Sequence, residues 1–594
     1  MCKTLTNQTK KSGSLEKNIS KIDNRLFTLS SSFNTIVNSH IFIKWTVLFL
    51  YILSLSIISY FHEPWGDEAQ AWVIARDCSI KELIFEIGHL EGHPPLWWLY
   101  LSIFAKTGMP YELGLKLAAI IINSIAAFLI IFKAPFHCIF NFTIPFTYFL
   151  FYQYGVISRC YSFLILGFVL CGIYYNQKSK KPFKMIFSLL LLCMSGAYGL
   201  IFAFGIALIW VYELIISNIK QKKSFINIII NNLTQLSALF ILLIIALFIV
   251  YQMIPYKNTS GTYIDVTNSI YFRLFYTFFL LPADSIVYSS YWGEAYLGIY
   301  EITPPVMIMG SIIWIIILLA LITRKEAYGK IKLFIVPYII FSIICANLYM
   351  YSHHIGIFAL FILFWLWTCF DQNYDQEKIT KCKTPRHINW LTEGEGKLLY
   401  NTEWIIFCFM IIISISWSIS SSYEDIVHNY VDARETHSFL KEYNLENAKI
   451  MKPGTFYTIN EKQRYELPIT SIPLITAYLP VQNNTYRSLY KNKPANWVVR
   501  SLFITDNDPD EKSLISYWQS LGYPDITIGE CDLSYIYDKS YQEIYGKIPD
   551  YICVKKIPFC IIFKGYYLSL GDYSCTKIYM RKDMAYNLNL TEIK

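Results

Sequence analysis

Two adjacent carboxylates, Asp67 and Glu68, come directly after an apolar run from Ile41 to Tyr60 that is long enough to span a bilayer. Ionisable groups at the mouth of a membrane span are costly to desolvate and usually have a task. A carboxylate there can take a proton from a hydroxyl, and Asp67 is the first candidate for that base, Glu68 the second. Three other groups carry chemistry. His93 opens a His93-Pro94-Pro95-Leu96 box, Arg159 and Tyr161 lie in Ser158-Arg159-Cys160-Tyr161, and His353 and His354 end a later apolar run. A guanidinium fork matches phosphate oxygens, and imidazoles donate or accept near neutral pH. Plainer readings stand beside these. Acids cap helix N-termini, an interfacial arginine meets lipid headgroups, and histidines are common at interfaces. Trp65, Trp72 and Trp97 suit a sugar ring, or a membrane belt.

The surrounding residues fix how these groups are carried. Pro64 breaks the first span, Gly66 allows a tight turn, and Asp67 is expected to N-cap a short helix running to about Asp77. A second short helix is expected from Pro94-Pro95, since proline is tolerated in a first turn. Leu96 to Ala105 is too short to span. It reads as an interfacial helix with Trp97, Trp98 and Tyr100 at headgroup level.

The 594 residues are 54% hydrophobic and 16% charged, the composition of a membrane protein rather than of a large soluble enzyme. The net charge of +8 resides in short lysine clusters between apolar runs, and no nucleic-acid module is present. Residues 1–40 read as a cytoplasmic tail and 41–421 as a transmembrane domain whose first outer loop is 61–112. The apolar runs give about eleven spans, with the basic clusters (Lys133; Lys178 to Lys184; Lys220 to Lys223; Arg324 to Lys332; Lys378 to Arg386) all on one side. Two adjacent runs, Met185 to Tyr198 and Leu200 to Ser217, are expected to turn at Gly199, and Phe136 to Ile157 is read as one span. Residues 422–594 form a small extracytoplasmic α/β domain, with helices expected over Glu435 to Tyr443 and Glu511 to Leu521 and a β-run over Cys560 to Tyr567. Of fourteen cysteines, Cys531, Cys553, Cys560 and Cys575 cluster in that domain, as two disulfides of open connectivity or as four thiols. Sequons begin at Asn258, Asn483 and Asn589.

The acidic pair after the first span, the HPPL box at this distance and the Ser-Arg-Cys-Tyr return together resemble the GT-C class of polytopic glycosyltransferases. They are most similar to the bacterial relatives of dolichyl-phosphate-mannose protein mannosyltransferases and of the lipid A aminoarabinose transferase. The likeness covers roughly the first 220 residues, the later spans only by pattern. It implies an α-helical polytopic fold and inverting transfer of a sugar from a polyprenyl-phosphate donor to a protein, lipid or glycan acceptor. In the family the first acid of the pair acts at the acceptor as base or metal ligand, which falls on Asp67 with Glu68 beside it. A divalent metal, Mg or Mn, is the one cofactor the resemblance admits, and no second aspartate lies near Arg159. The donor phosphate would meet Arg159, His93, Tyr161, His353 and His354. The bacterial plasma (inner) membrane is the expected location, with membrane lipids as neighbours. Two other readings remain, a transporter or flippase of lipid-linked sugars and another envelope glycan-assembly enzyme. The first would favour internal repeats and midplane charges, which this chain lacks.

Overall fold

The computed structural model describes residues 41–220, 229–255, 269–286, 304–322, 329–347, 352–371, 396–452, 472–491, 493–498, 516–529, 546–559 and 574–593. It is mostly helical, with a small sheet region near the C-terminus. Helix α1 (Ile41–Phe61) is followed by α2 (Gly66–Asp77), α3 (Ile80–Phe85), α4 (Ile87–Glu91), α5 (Leu96–Ala105) and α6 (Tyr111–Lys133). Next come α7 (Cys138–Thr143), α8 (Tyr161–Tyr174), α9 (Pro182–Cys193), α10 (Ala197–Lys220), α11 (Leu233–Met253), α12 (Ile270–Phe275) and α13 (Leu281–Ile286). The bundle is completed by α14 (Pro304–Ile322), α15 (Ile331–Cys345), α16 (Gly356–Phe370) and α17 (Gly396–Val427).

Among the described residues, five helices are long and apolar enough to cross a membrane: Ile41–Phe61, Tyr111–Lys133, Ala197–Ile219, Leu233–Met253 and Phe407–Val427. At 1.5 Å per residue, about 20 residues cover the hydrocarbon core. Phe42, Phe49, Phe240 and Ile412 point outward from these helices, a surface compatible with lipid and ill suited to water. Shorter apolar helices, including Pro182–Cys193, Ile331–Cys345 and Gly356–Phe370, pack among them.

Several expectations are corrected. Phe136 to Ile157 is not one span. α7 gives way to a 3₁₀ turn at Ile144–Phe146 and then to a π-helical stretch, Phe149–Val156. Pro145 lacks the amide that would continue α7, and the wider turn resumes after it. The α9–α10 turn is made by Gly196, whose φ of +151° suits glycine, while Gly199 lies inside α10. Trp97 and Trp98 are buried against the bundle rather than lying in a headgroup belt, because α5 packs between α2 and α6. α17 runs on to Val427.

The two ends of the bundle differ chemically. At one, the Tyr175 ring has Lys178 Nζ 3.8 Å and Lys330 Nζ 5.0 Å from its centroid, and Lys330 donates to Asn176 Oδ1 at 2.8 Å. Two of the basic loops therefore meet there. At the other end the acidic segment 61–112 receives the C-terminal region.

That region begins with α18 (Ala433–Glu442), close to the helix expected over Glu435 to Tyr443. β1 (Ile450–Met451), α19 (Pro473–Thr476), β2 (Ser488–Tyr490), β3 (Lys493–Ala495), β4 (Ile526–Gly529), β5 (Tyr551–Phe559), β6 (Ser574–Arg581) and α20 (Lys582–Asn587) follow. β1-β4-β6-β5 form one sheet, with β1 parallel to β4 and the other pairs antiparallel. Ile450, Ile528, Val554, Ile578 and Met580 join Phe439 and Leu440 of α18 in its core. Cys553 lies opposite Tyr579 and Cys575 opposite Pro558, so these two thiols do not face each other. Cys531, Cys560, the run to Tyr567, Glu511 to Ile515 and Asn258 lie outside the described residues. Asn483 is buried, its amide donating to Pro480 O and Asn496 Oδ1 at 2.9 Å, which leaves no room for a glycan on that nitrogen.

Docking onto the first loop uses charged groups to finish chain ends. Arg434 donates to the carbonyls of Tyr60, Phe61 and His62, the exposed end of α1, at 3.4, 3.3 and 3.2 Å. It also holds Glu112 at 2.6 Å. Arg76 does the same for the end of α19, donating to Thr476, Ala477 and Leu479 carbonyls. Gln70 pairs both ways with the Val498 backbone, and Asn496 donates to Asp77 at 2.7 Å. The first loop and the C-terminal region therefore occupy the same side of the bundle.

Candidate active site

The stretch after α1 folds back on itself through Glu68. α2 begins at Gly66 with Trp65, not Asp67, at its cap position, and both acids fall in the first turn. Glu68 reaches back to accept the Trp65 amide at 3.0 Å, which closes the turn that Pro64 and Gly66 open. Its side chain is fully buried. Oε1 accepts the amide of Ser158 at 2.6 Å, while Oε2 also meets His62 Nε2 at 3.1 Å. The other ring nitrogen of His62 meets Asp425 Oδ2 of α17 at 2.9 Å, and Tyr152 donates to the same oxygen at 3.1 Å.

Asp67 turns the other way. Its carboxylate is 41% exposed and paired with the Arg159 guanidinium, which is only 12% exposed. The guanidinium carbon sits 5.8 Å from the ring centroids of both Trp65 and Tyr161, a cation between two π-faces. Tyr161 stacks on Tyr154 at 4.7 Å, and Tyr154 donates to the carbonyl of His353 at 2.7 Å. His353 lies 6.0 Å from Trp65 and 6.1 Å from Tyr161, and His354 packs against it at 4.1 Å and against Tyr198 at 4.6 Å.

The electrostatics separate the two kinds of histidine. Burial drives His353 down to about 3, with the Arg159 charge pushing the same way, and His354 well below its ordinary value. Both imidazoles are therefore neutral at physiological pH. His62 is the opposite case. Burial opposes its charge, yet the Asp425 and Glu68 carboxylates outweigh burial and raise it to about 10. His93 is close enough for its charge to be felt at both His353 and His354.

The structure thus brings Asp67, Arg159, Tyr161, His93, His353 and His354 together at the acidic end. It sets Glu68 behind them, where each oxygen is engaged by the protein itself. Sequence reasoning assigned no role to His62, Asp425 or Tyr152. The signal was available for two of them, since His62 stands in the same stretch as the acid pair and Asp425 is an ionisable group on a spanning helix. Among the described residues no three His, Cys, Asp or Glu side chains are disposed to hold a metal ion. With Glu68 occupied and Asp67 facing a guanidinium, the donor set does not fit Mg or Mn.

The arrangement offers one solvent-reaching carboxylate, one oriented cation, neutral imidazoles and aromatic walls. An anion drawn to Arg159 competes with Asp67, so anion binding and the basicity of Asp67 are coupled. Compared with known proteins, the chain matches no family model, no curated protein and no solved structure.

Proposed function

We propose that this chain is a GT-C-like membrane glycosyltransferase. It would move a sugar from a polyprenyl-phosphate donor to an acceptor hydroxyl on the side of the membrane that holds the first loop. The reading includes about eleven membrane segments: the five long helices, the further apolar helices α8, α9, α14, α15 and α16, and the broken segment from α7 to Val156. One observation carries it, the Asp67–Arg159 pair framed by Trp65 and Tyr161 at the end of the first apolar helix. In the ground state Arg159 holds Asp67. A donor phosphate draws the guanidinium onto its own oxygens, where a fork binds two at once. Asp67, released, accepts the proton of the acceptor hydroxyl as its oxygen forms a bond to the anomeric carbon. The bond from that carbon to the phosphate oxygen breaks, its electron pair leaves with the phosphate, and the anomeric configuration inverts. Arg159 meets the charge that grows on the departing phosphate. His353, neutral because of its burial, does not compete for the proton.

The test is transfer from a radiolabelled polyprenyl-phosphate sugar by membranes carrying the wild type, Asp67→Asn or Arg159→Lys. Asp67→Asn is expected to lower transfer about a hundredfold or more, the usual worth of a positioned base. Label that crosses the bilayer without entering a new glycosidic bond, equally in all three, would overturn the reading in favour of a transporter.

A further inference from the structure

Asp67 and Arg159 lie on separate segments, and what fixes their separation is the pair of residues next to them. Glu68, adjacent to Asp67, takes the backbone amide of Ser158, adjacent to Arg159, at 2.6 Å. Its other oxygen holds the turn at Trp65. One carboxylate therefore ties both site-bearing segments, and its aim depends on what holds it in turn. The side-chain partner is His62, 1% exposed, which spans from Glu68 to Asp425 on the last helix of the bundle. An imidazole with a carboxylate oxygen at each nitrogen donates to both only when both nitrogens carry hydrogen. A neutral ring would set a lone pair against one of the acids. Tyr152 donates to Asp425 from the π-helical stretch that leads to Ser158. The Tyr430 ring packs edge-on at 4.7 Å, and Glu63 and Arg434 flank His62 on its own segment and on α18.

We propose that His62 is a positioning residue, a buried double donor that aims Glu68 at Ser158 and so sets the distance between Asp67 and Arg159. Its importance for transfer rests on the function proposed above, but its effect on Ser158 does not. His62 touches neither reacting group. It acts by holding the first loop, the Ser158–Arg159 turn and α17 as one body.

Amide exchange followed by mass spectrometry over residues 156–163 reads the Ser158 hydrogen bond independently of any activity. In His62→Gln one of the two acids loses the hydrogen bond that His62 gave it, and exchange at this turn is expected to rise about tenfold or more over wild type. Asp67→Asn, which leaves Glu68 in place, is expected to keep wild-type exchange. Asp425→Asn serves as the milder second variant should His62→Gln not be recovered folded, and it is expected to loosen the same turn. In the transfer assay His62→Gln should lower kcat with donor KM little changed, because the phosphate-binding Arg159 remains. Wild-type exchange at 156–163 in a folded His62→Gln or Asp425→Asn protein would overturn the proposal. A looser turn in a protein whose wild type transfers no sugar would keep the positioning role and remove the transferase reading instead.

Discussion

Replacing Arg434 by alanine tests whether the C-terminal region is latched to the first loop as the geometry states. Arg434 gives two hydrogen bonds to Glu112, at 3.1 and 2.6 Å, and three to carbonyls at the end of α1. Removing one member of a fully buried pair costs about 3–5 kcal/mol, and an exposed pair costs at most about 1. The Arg434 side chain is 38% exposed and Glu112 keeps Lys116 at 2.5 Å, so the value belongs between these limits, at about 2 kcal/mol. Water reaches the three carbonyls in the variant and replaces most of what they lose. Two kcal/mol is about a thirtyfold change in an opening equilibrium. Hydrogen exchange over 430–443 is the assay, since it reports local opening of α18 without requiring the whole domain to unfold. Arg76→Ala is the control. It should open the α19 end, whose carbonyls it holds, more than it opens α18, which packs on α19 but does not contact Arg76. Exchange over 430–443 within threefold of wild type in Arg434→Ala would refute the latch. So would opening that spreads equally to β4, β5 and β6, because the sheet core does not depend on this arginine.

Burial holds Glu63 up at about 7 from an ordinary 4.5, although Arg434 and the Val431 amide pull it down, Glu112 adds to the rise and His62 opposes it. The folded chain thus keeps a proton that the unfolded chain releases, so stability should fall as pH rises from about 4.5 to 7, by about 3 kcal/mol in all. Glu63→Gln should flatten the dependence of Tm on pH over that window, and an unchanged slope would count against it. Gly356→Ala would bring its new carbon to 2.1 Å from the buried Phe149 ring. That overpacking should cost about 1–3 kcal/mol, read as a lower Tm in detergent, and an unchanged Tm would show that Phe149 can yield. Trp65→Leu removes one of the two π-faces at Arg159 and should weaken donor binding by about threefold to tenfold, seen as a raised KM with kcat nearly kept.

Local rules worked where neighbours in sequence decide the structure. Pro64, Gly66 and the end at Asp77 delimit a short helix as expected, and the box at Pro94-Pro95 starts α5. They failed where a distant partner decides. Trp97 and Trp98 suit a headgroup belt until α2 and α6 enclose α5. Gly199 is as good a turn residue as Gly196 until α9 is in place, when a side chain at Gly199 would run into the Leu192 carbonyl. The clustering of Asp67, Arg159, His353 and His354 could be anticipated because each stood at the same end of an apolar run. His62 could not be paired with Asp425 across more than 300 positions, because nothing local marks the contact.

The acid pair shows most clearly why spacing needs a fold. Successive side chains on a helix point about 100° apart, so two neighbouring carboxylates cannot both face one ligand. In a first turn one of them meets the free amides at the helix start, and here Glu68 takes that place, with the added amide of Ser158. Full burial then demands a counter-charge, which His62 supplies. Asp67 is left on the open side, where it meets Arg159 of the adjacent turn. Treating the two acids as first and second choice for one role therefore gives way to a division of labour. Exchanging them, Asp67→Glu with Glu68→Asp, should damage the site more than either change alone, because the shorter acid no longer spans to Ser158 and the longer one overreaches Arg159. Transfer by the double variant at or above the level of the weaker single variant would refute that division.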